Sequence, residues 1–268
     1  MSFKLGYSTL RWREPDLEPA LEQLKLAGWD GWEGRLSPDG LGSPARLRRV
    51  CQNTGMPMVV YTAQGTPDSR ERVNVERNKR RMEYAAEVGV DCFMFMNGAK
   101  PLDRAVTLED IQAAAEGAEV WAEYAAPFGL ELSYHIHSNL LIDSSEDWVT
   151  YMSLLDKTKL CIDVSHAQLW GYDPVQAIHD FQSQLNYIHL QDYSSYTRSE
   201  GGFYLPSWVD VGQAESVDFG AVKQALEGIG FRRWVTACPG EPVPGAEDVI
   251  SEAKRSKRMV DYLRGLGY

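Results

Sequence analysis

Eight short apolar runs alternate with helical segments along a chain of 268 residues, and that alternation predicts a single α/β domain over 1–268, a (β/α)8 or TIM barrel. Two further observations point the same way. The first run is followed by Ser8-Thr9-Leu10-Arg11-Trp12, not by the Gly-rich phosphate turn of a doubly wound sheet. Four of the five histidines, His135, His137, His166 and His189, fall at or just past the ends of three runs, where a parallel barrel carries its ligand site.

The elements follow in order. Phe3 to Ser8 reads as a first strand. Asp16 to Ala27 has helical spacing at Leu17, Ala20, Leu21, Leu24 and Ala27, and Gly28 closes it. Trp29 to Glu33 is a second strand, Pro44 to Thr54 a helix, and Met56 to Tyr61 a third strand. Ser69 to Val88 is a long charged helix expected to bury Val73, Met82, Tyr84, Ala85 and Val88. Asp91 to Met96 is the fourth strand. Thr107 caps the next helix, with Asp110 in the position a capping box usually gives to Glu. Leu130 to His137, Lys159 to Asp163 and Asn186 to Gln191 are strands five, six and seven, separated by helices at Ser145 to Leu155 and Pro174 to Phe181. Phe219 to Gly228 is helical, Phe231 to Ala237 is the eighth strand, and Glu247 to Leu263 is one closing helix. The segment from Asp192 to about Asp218 is long for a barrel connection. Tyr193, Tyr196, Phe203, Tyr204 and Trp208 make it too aromatic for a disordered insertion, so it reads as an ordered lid.

Composition narrows the partners. A formal net charge of -11 disfavours nucleic acid, which is bound through clustered Lys and Arg, and is compatible with a metal and a small neutral substrate. There is no apolar run of membrane length, and Met1 to Leu5 enters a strand pattern directly, so neither a membrane span nor a signal peptide is expected. The four cysteines form no C-x-x-C pair, and reduced thiols in a cytoplasmic protein are the expected state. Oligomeric state stays open, with a homo-oligomer among the options.

Strand residues alternate faces. On strand five, Leu130, Leu132, Tyr134 and Ile136 form an apolar face to pack under helices, so His135 and His137 point inward at the mouth. Asp163 ends strand six, with His166 three residues on, and Glu33 ends strand two. An Asp and two His at such ends can hold a divalent metal, or they can be an ordinary hydrogen-bonded cluster. Glu33 likewise reads either as a functional carboxylate or as the partner of Arg35.

Tyr134-His135-Ile136-His137, Asp163-x-x-His166, His189-Leu190-Gln191-Asp192, Val217-Asp218-Phe219 and Gly28-x-x-Gly31-x-Glu33 together resemble the xylose isomerase-like barrel superfamily, the sugar phosphate isomerase/epimerase group. Within it the pattern is most similar to the inosose dehydratases. The resemblance implies a divalent metal (Zn, Mn or Co) held from strands five to eight, by position His135, Asp163, His189 and Cys238. It also marks two departures. Cys238 stands where the family has a ligating Glu, with Glu241 three residues later, and Gln191 replaces a substrate-binding Lys. Trp12 and Trp208 join Gln191 as substrate-binding candidates.

Family members that isomerise or epimerise ketoses use carboxylates on strands five and eight as paired acid/base groups, and both are absent at those positions. The chemistry left open is enolisation of a small neutral polyhydroxy ketone beside the metal, followed by loss of water. His166 is the first candidate base, His137 the second, and Glu33 a substrate ligand or acid. Sugar isomerisation or epimerisation, or a non-catalytic sugar-binding role with a degenerate metal site, are the alternatives. A thiolate in the ligand set would favour zinc.

Overall fold

The computed structural model describes residues 2–10, 12, 17–66, 72–245 and 248–268. The strand runs are buried along almost their whole length, as a parallel sheet covered by helices demands. They are β1 (Lys4–Ser8), β2 (Gly31–Gly34), β3 (Met58–Thr62), β4 (Cys92–Phe95), β5 (Glu131–His135), β6 (Lys159–Asp163) and β7 (Leu185–Leu190). The eighth barrel strand is β10 (Trp234–Ala237), because β8 (Asp192–Arg198) and β9 (Tyr204–Val209) form a separate antiparallel hairpin. Around the closed barrel the order is β1-β10-β7-β6-β5-β4-β3-β2.

Two glycines let the barrel close. Gly6 and Gly31 are register partners on β1 and β2. A Cβ on Gly6 would stand 2.4 Å from Thr236 Oγ1, and one on Gly31 would stand 2.4 Å from Val59 Cγ1. Above them the same alternation carries the ionisable groups inward. Register sets His135 beside Cys161, and Asp163 beside His189. The opposite faces pack under helices, as with Tyr134, whose ring lies 4.7 Å from that of Tyr151 on α6 (Ser145–Ser153).

The helices are α1 (Leu17–Ala27), α2 (Pro38–Leu41), α3 (Pro44–Thr54), α4 (Arg72–Val88), α5 (Leu108–Ala125), α6, α7 (Val164–Leu169), α8 (Pro174–Asp180), α9 (Phe219–Gly228), α10 (Val249–Arg255) and α11 (Lys257–Gly265). Thr107 and Asp110 form the expected capping box on α5. The expected helix starts at Asp16, Ser69 and Glu247, and Arg11, lie outside the described residues. Several expectations are corrected. Val73 is 70% exposed, because α4 turns its first turn away from the barrel. The closing helix is two helices that meet at Ser256, whose Oγ accepts the indole N–H of Trp29 at 2.8 Å. Trp29 therefore serves the helix layer and not the second strand, which begins at Gly31. The eighth barrel strand begins at Trp234, three residues later than its apolar pattern. Two short helices, α2 and α7, lack enough turns to show a 3.6-residue period. No helix among the described residues is long and apolar enough to cross a membrane.

The lid expectation resolves into the β8–β9 hairpin. Asp192, fully buried, anchors its base. Its carboxylate accepts the backbone N–H groups of Gly212 (3.2 Å) and Ala214 (3.1 Å) and the hydroxyl of Ser216 (2.6 Å). Asn139, in the left-handed region at φ 69°, reaches from the turn after β5 and pairs twice with the Tyr204 backbone, both bonds 2.8 Å. Lys100 binds Asp143 at 2.6 Å and lies over the Phe203 ring at 4.3 Å. These contacts fold the hairpin back across the C-terminal mouth.

Candidate functional site

Asp163 ends β6 and caps α7. Its Oδ1 accepts Ser165 N–H at 3.0 Å and His166 N–H at 3.4 Å. This leaves Oδ2 facing two imidazoles. His135 Nε2 lies 3.5 Å from it and His189 Nδ1 3.8 Å. Cys238 Sγ lies 3.5 Å from the same His189 nitrogen. The donor atoms of Asp163, His189 and Cys238 all fall within 4.8 Å of one another, and those of His135, Cys161 and His189 form a second such group. Each of these five residues is at most 2% exposed.

His189 is oriented from behind. Its Nε2 lies 2.5 Å from Glu33 Oε2, so the ionised carboxylate accepts the Nε2–H hydrogen bond and Nδ1 turns toward Asp163 and Cys238. A carboxylate behind a ligating histidine is a common support for a metal site. Glu33 Oε1 is occupied as well, by Arg35 Nε (2.5 Å) and the Ser8 hydroxyl (2.9 Å). Both readings of Glu33 from the sequence therefore meet one fact: its oxygens are already engaged by Arg35, Ser8 and His189.

The electrostatics follow from this packing. Burial alone would raise the Glu33 carboxyl, but Arg35 and then His189 outweigh it and hold it ionised, well below the ordinary carboxylate range. Burial alone would lower His189, but Cys238 and Glu33 outweigh it and raise the imidazole to about 10. His135 moves the other way. Burial, with His189 and Arg35 adding to it, pushes it well below its usual value, so its lone pair is free for a ligand. Its Nδ1 is buried without a hydrogen-bond partner among the described residues.

The donor set fits a divalent cation. In a tetrahedral shell with metal–nitrogen distances of about 2.0–2.1 Å and metal–sulfur about 2.3 Å, neighbouring ligand atoms stand roughly 3.3–3.8 Å apart. The separations of 3.5, 3.8 and 3.5 Å around Asp163 Oδ2 and His189 Nδ1 match that spacing. Glu241, by contrast, is exposed, while Cys238 is 2% exposed beside His189.

The second pair of histidines lies beside this centre. The ring of His166 stacks on that of His137 at 4.1 Å and meets Trp208 edge-on at 5.2 Å, so β9 supplies a wall. His137 is half-buried and His166 buried. Burial holds both imidazoles below their usual value. A cavity of about 170 Å³ opens between the ends of β3 and β4, lined by Arg35, Thr62, Met94, Met96, Leu140 and His135.

The sequence candidates thus divide. His135, Asp163, His189, Cys238, Glu33, His137, His166 and Trp208 come together. Gln191 lies just past β7, its side chain buried and its carbonyl accepting the Ser165 hydroxyl. Trp12 does not join them: its indole N–H donates to Glu252 on α10 at 2.9 Å, alongside the Tyr7 hydroxyl. Arg35 was named from the sequence as a partner of Glu33, and the structure shows that pair, whereas Cys161 was missed as part of the site. Cys161 had a signal, since it shares the inward face of β6 with Asp163.

Comparison with known proteins bears on the fold and the family. An inosose dehydratase from Geobacillus kaustophilus is 24% identical over a 216-residue alignment covering 71% of this chain and 69% of that protein. One from Lacticaseibacillus casei is 21% identical over a 300-residue alignment covering 97% of each. Among solved structures, a 3-keto-D-glucoside 4-epimerase from E. coli has a TM-score of 0.73 at 18% identity, covering 98% of this chain and 99% of that one. D-psicose 3-epimerase from Clostridium cellulolyticum H10 has a TM-score of 0.76 at 14% identity, with the same coverage. The chain spans 43% of a xylose isomerase-like TIM barrel/4-hydroxyphenylpyruvate dioxygenase fusion protein, at a TM-score of 0.76. These structures share the fold. The family model for the xylose isomerase-like TIM barrel matches residues 21–264, and the chain belongs to that family.

Proposed function

We propose that this protein is a divalent-metal-dependent lyase that enolises a small neutral polyhydroxy ketone, of the inosose class, and eliminates water from it. The observation that carries the reading is the convergence of Asp163, His189 and Cys238, with His135 Nε2 3.5 Å from Asp163 Oδ2 and Glu33 accepting the outer N–H of His189. His135, Asp163, His189 and Cys238 would hold the ion. When bound, a divalent ion supplies Lewis acidity that polarises the ketone and favours loss of its α-proton. The thiolate of Cys238 favours zinc over manganese or cobalt in this set.

The chain's own groups do the rest. His137 and His166 flank the centre and would manage protons and hydrogen bonds, Trp208 walls His166, and Gln191, buried just past β7, is the candidate for holding a substrate hydroxyl. A neutral substrate is favoured because Arg35, the cation lining the cavity among the described residues, is already paired with Glu33. Dehydration is preferred over epimerisation because His135 and Cys238 stand where paired carboxylates would be needed to move protons on two faces. The names of the curated relatives support the same choice. Four free cysteines support a cytoplasmic setting.

The test is metal content and turnover together. Purified protein should carry about one equivalent of zinc, cobalt or manganese per chain, and the loaded protein should release water from inosose. His189→Ala should lose the ion while keeping the barrel's circular dichroism. A parent protein that binds none of these metals would leave only the non-catalytic sugar-binding role.

A further inference from the structure

Ser138 hydrogen-bonds to both stacked imidazoles through different groups. Its N–H donates to His166 Nδ1 at 3.1 Å, and its hydroxyl lies 3.0 Å from the same nitrogen. A ring nitrogen that accepts a backbone N–H carries no proton, so His166 holds its proton on Nε2. The Ser138 carbonyl lies 2.8 Å from His137 Nδ1. A carbonyl can only accept, so His137 Nδ1 carries the proton and its Nε2 is a lone pair. Two rings 4.1 Å apart are thereby held in opposite tautomers by one residue. His166 Nε2 is buried and has no partner among the described residues, so its N–H is a donor in reserve.

We propose that this division assigns the proton chemistry: His137 Nε2 is the base, and His166 Nε2–H is a fixed hydrogen-bond donor to the substrate oxygen that gains charge, with Ser138 as the positioning residue. The proposal rests on the lyase reading above, and it exchanges the roles that the order of motifs first suggests for the two histidines. In the enolisation step the α C–H bond breaks and its proton passes to His137 Nε2. The electron pair forms a double bond to the carbonyl carbon, while the carbonyl π pair moves onto oxygen. In the elimination step that pair re-forms the carbonyl, and the carbon–carbon pair shifts to join the α and β carbons. The β C–O bond breaks, and the leaving hydroxyl takes the proton back from His137 as water. His166 keeps its proton throughout, so no imidazolate is required, and nothing is oxidised or reduced.

The experiment uses metal-loaded protein, inosose as probe and D2O as solvent, with α-hydrogen exchange and water loss followed separately. Asn at 137 keeps an N–H toward the Ser138 carbonyl but has no basic nitrogen. His137→Asn should lower both exchange and water loss ~10²-fold or more with metal retained. Gln at 166 keeps an amide N–H near the position of Nε2, whereas Phe does not. His166→Gln should stay within about tenfold of the parent, and His166→Phe should fall ~10²-fold. The proposal is overturned if His166→Gln falls as far as His166→Phe while His137→Asn still exchanges. A second readout needs no substrate. Two-bond nitrogen–proton correlation spectra should show a protonated Nδ1 for His137 and a protonated Nε2 for His166, and the same tautomer in both rings overturns the assignment. Opposite tautomers in a metal-loaded protein that leaves inosose untouched would support the division and overturn the substrate reading instead.

Discussion

At the scale of single residues, Cys238 decides the character of the proposed centre. Its sulfur lies 3.5 Å from His189 Nδ1, while Glu241, beyond the Pro239-Gly240 turn, is exposed. A soft anion at this position and a hard carboxylate outside it lead to different metal preferences. Cys238→Ser is expected to weaken zinc binding sharply and Glu241→Gln to leave it nearly unchanged, in competition titrations with a chromogenic chelator. The reverse ranking would transfer the ligand role to Glu241. Cys238→Glu should move preference toward manganese. Glu33 makes a related point. It resembles a catalytic acid by its place at a strand end, but a carboxylate held ionised by Arg35 and His189 orients a ligand more readily than it gives up a proton.

Among the elements, the hairpin and the β5–β6 connection carry the geometry. Gly240 N–H donates to Asp210 Oδ1 at 2.9 Å. A Cβ on Gly240 would lie 2.3 Å from Val209 C and 2.4 Å from Asp210 N, so no other residue fits against the end of β9. Gly240→Ala should push the hairpin off the mouth and raise amide exchange across β8 and β9, with barrel strands little changed. Unaltered protection of the hairpin would contradict this contact. On the other side, Glu119 of α5 accepts the backbone N–H groups of Lys157 (2.9 Å) and Thr158 (3.0 Å), on the turn into β6. Burial alone would raise this carboxyl, and the backbone donors, Lys157 then Thr158, hold it below its usual value. A depressed folded pKa gives stability that is present above the unfolded pKa and lost as pH falls through the folded one. Glu119→Gln should therefore cost ~1 kcal/mol at neutral pH. In acid, below the folded pKa, the difference from the parent should shrink, as checked by denaturant unfolding. A difference independent of pH would mean the carboxylate charge is not involved.

At the scale of the whole molecule, the barrel stands on its core and not on its ligands. Leu5, Trp32, Val60, Phe93, Leu160, Ile188 and Val235, one from each of seven barrel strands, are all fully buried. Stripping the protein with a chelator should leave its circular dichroism intact and lower only its melting temperature. A ligand held at one hundred times its Kd stabilises by about 2.7 kcal/mol, which sets the size of the expected shift. Collapse of the helical signal on chelation would show instead that the metal is part of the fold.

The strand count, the parallel barrel and the inward face of His135 and Asp163 were legible in the sequence, because strand periodicity is a local property of a few consecutive residues. The aromatic loop was legible as ordered but not as a hairpin, since its pairing is irregular between Tyr193 and Tyr196 and its connection, Ser199 to Phe203, is longer than a two-residue turn. What only the tertiary structure decided is who touches whom across the mouth. Glu33 meets His189 across 156 positions of chain, Trp12 meets Glu252 across 240, and the Ser138 peptide meets His166 across 28. Those partners depend on barrel closure, on register and on turns such as Pro239-Gly240, and no periodicity along the chain encodes them. The sequence by itself therefore determined the barrel and the strand ends at which most of the candidate residues stand. The closed sheet decided which carboxylate supports, which sulfur faces inward, and which nitrogen of each histidine carries the proton.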